Sequence, residues 1–227
     1  MTREHYERLL RELDSHVLEL GEIVACTIAQ SIDALENLDV DLAQQLIETD
    51  SQIDQRRHEI EAQALVLIAT QQPMAGDLRT VTAILTIATE LERIGDYCEG
   101  IAKLTLRTAA EPMAIPVTDV RSMALLTQRL LCDALESYRD RDIETAGTVW
   151  AEDDVVDELY EQVFRSMIAG MIADRSTIRS RTYMLWVAHN IERMADRVTN
   201  IAERVAFVVT GDVADFRDLQ RSQTIPG

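Results

Sequence analysis

The sequence predicts an all-α fold, built as two tandem antiparallel three-helix bundles related by internal duplication. Three observations predict it. The chain is poor in helix breakers, with 8 Gly and 4 Pro in 227 residues, and rich in Ala, Leu, Ile, Val, Glu, Gln and Arg. Its apolar residues recur at spacings of three and four over long stretches. One block is also written twice. Leu91-Glu92-Arg93-Ile94-Gly95-Asp96 returns as Ile191-Glu192-Arg193-Met194-Ala195-Asp196, at an offset of 100, and five of twelve positions are identical over 91–102 and 191–202.

The first helix spans 2–38, with Tyr6, Leu9, Leu13, Val17, Leu20, Val24, Ile28, Leu35 and Leu38 on one stripe. Gly21 inside it is a local cost unless a neighbour packs close. Asp39 or Asp41 caps a second helix that carries Leu42, Leu46, Ile53, Ile60, Ala64 and Leu67 and runs to Gln72. Pro73 and Gly76 bracket a turn. The third helix, 77–108, turns Val81, Ile84, Leu85, Ala88, Leu91 and Ile94 inward. The stretch 111–116 holds Pro112 and Pro116 and reads as the linker between repeats 1–110 and 117–210. The second repeat predicts helices 118–138, 142–172 and 177–209, and a polar tail fills 211–227. Asp33-Ala34-Leu35-Glu36 and Asp133-Ala134-Leu135-Glu136 read as a second echo at an offset of 100, and Arg79 and Arg179 as a third.

Composition excludes several function classes. A net charge of −18 lacks the basic footprint that a nucleic-acid backbone requires, and suits cations or basic protein surfaces. Cys26, Cys98 and Cys132 form no C-x-x-C, which argues against a disulfide framework and for a reducing compartment. The start of the chain has no apolar signal region, and the apolar runs 64–69 and 205–209 are too short to span a bilayer, so a soluble cytoplasmic protein is expected. No P-loop, G-x-S-x-G, Cys/His nucleophile pair or dinucleotide fingerprint occurs. Trp150 and Trp186 read as packing residues.

The chemistry lies in paired acids. Residues four apart share one helix stripe, so Glu92 and Asp96 point together, as do Glu192 and Asp196. The preceding helices hold Asp50 with Asp54 and Asp153 with Asp157. In an antiparallel hairpin, residues equidistant from the turn lie level. The midpoint of 50 and 96 is Pro73, and that of 153 and 196 falls between Asp174 and Arg175, both in predicted turns. Each half therefore gathers four carboxylates: Asp50, Asp54, Glu92 and Asp96 in one, Asp153, Asp157, Glu192 and Asp196 in the other. Such a cluster protonates, recruits arginine or binds metal. Oxygen-only donors favour Mg, Ca, Mn or Fe, with zinc also admissible, and leave room for more than one ion. The competing reading is a salt-bridge network in which Arg93, Arg193 and Arg197 bend back onto the stripes. His58 and His189 lie close by but read as ordinary histidines. The absence of Glu-x-x-His weakens a carboxylate-bridged oxidase or ferritin-like alternative. A purely structural helical adaptor with solvated acids is the other alternative.

These motifs, together with Asp77-Leu78-Arg79 and Asn190-Ile191 ahead of Glu192 and Thr199-Asn200-Ile201-Ala202-Glu203 after Asp196, resemble the PhoU family of phosphate-uptake regulators over about residues 5–210. The resemblance implies metal clusters on the acid pairs, with iron and zinc as the associated metals. It also implies a homodimeric regulator, and not an enzyme, that restrains phosphate-starvation signalling. Its implied partners are the ATPase subunit of the phosphate ABC transporter and a sensor histidine kinase, with membrane association only through them. Two departures stand out. Glu99-Gly100 replaces the Thr199-Asn200 of the second half, so the first site is expected to lack a supporting amide and the second to be the more secure. Pro112 and Pro116 stiffen the linker.

Overall fold

The computed structural model describes residues 3–110 and 118–212. The linker 111–116 and the tail beyond Asp212 lie outside the described residues. The elements are α1 (Arg3–Asn37), α2 (Val40–Gln71), α3 (Gly76–Ala110), α4 (Thr118–Asp140), α5 (Ile143–Ala173) and α6 (Ile178–Thr210), with a 3-10 turn at Arg175–Thr177. No strand occurs among the described residues.

The helices end where local chemistry stops them. After α1, Leu38 takes a left-handed φ of 51° and Asp39 caps α2 by accepting from the Leu42 amide at 3.0 Å. The second repeat does the same with Arg141 at φ 56° and Asp142, which caps α5. Gln72 closes α2 in the left-handed region, its amide donating to the Ile68 carbonyl, and the chain reverses through Pro73. Asp174 closes α5 and starts the 3-10 turn through the Ser176 amide.

Most of the predicted α1 stripe is buried, namely Leu13, Val17, Leu20, Val24, Ile28 and Leu35, while Tyr6, Leu9 and Leu38 at its ends are only half-buried. Full burial of a Leu or Ile contributes about 1.5–3 kcal/mol, set against the entropy of ordering the chain. Gly21 has its close neighbour, because a β-carbon there would overlap Leu135 Cδ1 of α4. Trp150 packs partly against the core, but Trp186 is 53% exposed beside the Tyr183 ring, which corrects its reading as a packing residue.

The internal repeat runs in two registers. Between α3 and α6 the offset is 100, and Thr80, Ile84, Ala88, Leu91, Cys98 and Ala102 match Ser180, Met184, Ala188, Ile191, Val198 and Ala202, all buried. Between α1–α2 and α4–α5 it is 103. Val17, Leu20, Ile28 and Leu35 match Val120, Met123, Leu131 and Tyr138, and Leu46, Ile53 and Ile60 match Val149, Val156 and Val163. The caps Asp39 and Asp142 keep the same offset. The pairing of Asp33-Ala34-Leu35-Glu36 with Asp133-Ala134-Leu135-Glu136 is therefore a chance echo. A shift of three nearly preserves a helix face, which gives the two blocks their likeness. The repeat is three residues shorter at the α5–α6 turn.

Outer helix α2 packs on α1 and α3, and α5 packs on α4 and α6. The halves meet through α1 against α4 and α3 against α6. Both contacts are antiparallel. Arg121 pairs with Asp33 and Glu36, Gln128 donates to the Ala25 carbonyl, and Tyr138 reaches Asp14. Glu90 meets Asn200 while Gly100 faces Asn190. An approximate two-fold axis thus relates the repeats, and one hydrophobic cluster runs through both, from Leu20 and Ile84 to Leu131 and Val187.

Candidate metal centres

The acids flank the buried seam of each outer hairpin. On α2, Asp50 and Asp54 straddle Ile53, which is fully buried against α3. On α3, Glu92 and Asp96 straddle Ile94 and Gly95, also buried. The carboxylates sit at the rim of the seam, intermediate to exposed, and not in the bundle core. A ferritin-like centre needs inward-facing ligands, so this placement speaks against that alternative.

The levels expected from the hairpin midpoint are met. A β-carbon on Gly95 would stand 3.4 Å from Asp50 Oδ1 and 3.1 Å from Ile53 Cδ1. The missing side chain at Gly95 lets α2 approach and lays the Asp50 carboxylate across α3 beside Asp96. One turn away, Glu92 and Asp54 stand within hydrogen-bonding reach of each other.

Electrostatics reports the same grouping. Desolvation first, then the charges of Glu99, Asp96 and Asp54, push the Asp50 carboxyl up to about 6. Glu92 and Asp96 are raised, by desolvation and then by the neighbouring acids. In the second half desolvation leads again, and Asp157, Asp196, Asp154 and Glu192 add to it, holding Asp153 at about 7. Asp157 and Glu192 are raised for the same reasons. All eight residues named from the sequence thus fall into two groups of four. Sequence reasoning missed two members. Glu99 extends the first stripe, three residues beyond Asp96, and that spacing was legible. Asp154 joins the second cluster with no signal beyond its adjacency to Asp153.

The nearby basic residues divide unequally. Arg93 pairs with Glu90 at 3.5 Å, and Lys103 with Glu99 at 2.5 Å. Among the described residues no Lys or Arg stands within 4.0 Å of Asp50, Asp54, Glu92 or Asp96. Asp196, by contrast, has Arg193 at 2.9 Å and Arg197 at 3.8 Å. His58 has both ring nitrogens engaged, Nδ1 donating to the Asp54 carbonyl and Nε2 accepting from Arg57. His189 Nδ1 stands 3.4 Å from Glu192 Oε2, yet that buried oxygen has no hydrogen-bond partner. Proximity without alignment explains the difference.

The donor set fits a hard cation: oxygens only, mutually repelling, with a buried acceptor left over on Glu192. The side chains stand splayed. Among the described residues no three carboxylate, imidazole or thiolate groups converge in metal-ligand geometry. Binding would therefore require rotamer changes at the rim, where exposure permits them.

With this geometry in place, comparison with known proteins finds a match to the PhoU domain over residues 17–105 and 120–205. The chain belongs to the PhoU family. The phosphate-specific transport system accessory protein PhoU homolog of Caulobacter vibrioides is 39% identical over 212 residues, 93% of this chain and 92% of that protein. The PhoU of Escherichia coli K12 is 33% identical over 208 residues, 92% of this chain and 86% of its own. The crystal structure of PhoU from Pseudomonas aeruginosa superposes with a TM-score of 0.87 at 30% identity, covering 91% of this chain and 100% of that one. That of the phosphate transport system regulatory protein PhoU from Streptococcus pneumoniae gives 0.85 at 30%, covering 92% and 99%.

Within this PhoU chain the Gly100 departure takes a different meaning from the expected one. Asn200 does not support the second acid cluster: its Nδ2 donates to Glu90 Oε2 across the α3–α6 seam at 3.2 Å. Gly100 occupies the matching place and leaves room for Asn190, whose Nδ2 would lie 3.0 Å from a β-carbon there. The difference concerns the contact between the halves and gives no reason to rank the second site above the first. No helix among the described residues is long and apolar enough to cross a membrane.

Proposed function

We propose that this protein is an accessory regulator of phosphate uptake that restrains phosphate-starvation signalling. It acts as an adaptor between the ATPase subunit of a phosphate ABC transporter and a sensor histidine kinase. The observation that carries the reading is similarity over nearly the whole chain to proteins named as phosphate-specific transport accessory proteins. The adaptor is a cytoplasmic homodimer, reaches the membrane only through its partners, binds no nucleic acid and catalyses no reaction. Its strong negative charge suits basic partner surfaces.

The two carboxylate clusters, Asp50/Asp54/Glu92/Asp96 and Asp153/Asp157/Glu192/Asp196, bind divalent or trivalent cations in this reading, with iron or zinc first and Mn, Mg or Ca behind them. Mutual repulsion and the unpaired Glu192 oxygen support it.

Two experiments test the parts separately. Deletion of the gene should turn on a phosphate-starvation reporter in phosphate-rich medium, and the wild-type copy should silence it; a reporter indifferent to deletion removes the regulatory role. Metal content of protein purified without chelator should drop in Glu192→Gln/Asp196→Asn, and equal content in both removes the second site.

A further inference from the structure

We infer that the two carboxylate clusters are unequal, and that Arg193 and Arg197 set the cation affinity of the second. The inference rests on the cation-binding reading above and adds an order of filling to it.

In the first cluster Arg57 is committed to Glu61 and Arg93 to Glu90, and Lys103 holds Glu99 at the cluster's edge, so none of the three stands within 4.0 Å of Asp50, Asp54, Glu92 or Asp96. They temper Glu92 and Asp96 only from a distance. In the second, Asp196 Oδ2 takes Arg193 Nη1 at 2.9 Å and Arg197 Nη2 at 3.8 Å. A cation arriving at Asp196 competes with two guanidinium charges already there, and like charges close together oppose its entry. The first cluster's four stripe acids hold no such competitor, and its nearest cation, the single ammonium of Lys103, sits on Glu99 at the edge.

The cause is visible in the repeat. Arg193 has its counterpart in Arg93, but Arg197 has Tyr97, which carries no positive charge. Both second-half arginines also hold an alternative acceptor across the α3–α6 seam. Arg197 Nη1 stands 3.4 Å from Glu90 Oε2, and Arg193 lies beside the Tyr97 hydroxyl. When a cation takes Asp196, each guanidinium keeps a partner on α3 of the other half. Filling the second cluster therefore shifts these arginines toward the seam, and occupancy and seam contact are coupled in both directions.

The test is a Mn2+ titration of the chelator-stripped full chain, with free Mn2+ followed by electron paramagnetic resonance. Wild-type protein should show a tighter and a weaker class. Asp50→Asn/Asp54→Asn should abolish the tighter class and Asp153→Asn/Asp157→Asn the weaker. Arg193→Gln should tighten the weaker class about fivefold and leave the tighter one unmoved, as expected for removal of one partly exposed ion pair. Arg193→Lys should restore the weaker affinity. Arg193 is chosen because its side chain is 40% exposed and its loss spares the Arg197–Glu90 pair, so the fold is retained. Equal affinities in the wild type, the opposite order, or an Arg193→Gln protein with both classes unchanged overturns the inference and leaves the cation sites standing. No Mn2+ bound at either cluster overturns the sites, and the inference with them.

Discussion

At the scale of single residues, Glu90 matters most to how the halves hold together. It is 7% exposed, and its Oε2 accepts from Asn200 and Arg197 of α6. A buried carboxylate is tolerated because two donors from the other half answer it. Glu90→Ala removes the acceptor and leaves Arg197, in a partly buried seam, with only its 3.8 Å contact to Asp196. The expected loss is about 3 kcal/mol in urea unfolding, with Glu90→Gln losing less because it still accepts from Asn200. Equal stability of both variants with wild type would show that the seam does not depend on this contact. None of this was legible in the sequence. The eight acids could be read because helical period and hairpin level are local rules. Glu90 and Asn200 lie 110 positions apart and meet only when two helices from different repeats pack.

At the scale of elements, boundaries followed local rules and the sequence carried them well. Each helix-opening Asp follows a left-handed residue: Asp39 after Leu38, Asp142 after Arg141. The two caps are not equal. Asp39 accepts from the Leu42 amide alone, whereas Asp142 accepts from the Glu144 and Thr145 amides and the Thr145 hydroxyl. Asp39→Ala should cost about 1 kcal/mol. Asp142→Ala should lower the thermal midpoint further, as followed by circular dichroism, and the reverse order would refute the ranking by hydrogen bonds. What the sequence hid was register. Three residues are close to one helical turn, so offsets of 100 and 103 put nearly the same faces together, and only the caps and buried positions separate them.

At the scale of the whole molecule, charge repulsion is concentrated in the two clusters. Asp50 is held at about 6 and Asp153 at about 7, against 3.8 for a free aspartate. Between about pH 4 and 7 the folded metal-free chain therefore binds protons that the unfolded chain has released. Their contribution to stability is greatest at the acid end of that window and declines as pH rises through 7. The carboxylates shifted the other way, Asp140, Asp142 and Asp174, act below the ordinary range and do not offset it. In chelator, the melting temperature should fall from pH 5 to pH 8, and added Mn2+ should recover it at pH 8; a midpoint that rises across this interval would contradict the repulsion. The approximate two-fold axis has a consequence of its own. The seam of α1 with α4 and α3 with α6 has the form of an isologous dimer whose protomers are tied end to end. Tethering frees the two copies from having to match. A change in a true homodimer alters both sides of its axis at once, whereas this chain sets Gly100 against Asn190 and Glu90 against Asn200, and carries arginine at 197 where the other copy has tyrosine at 97. Covalent linkage lets equivalent positions of the two halves differ without the same change being forced on both.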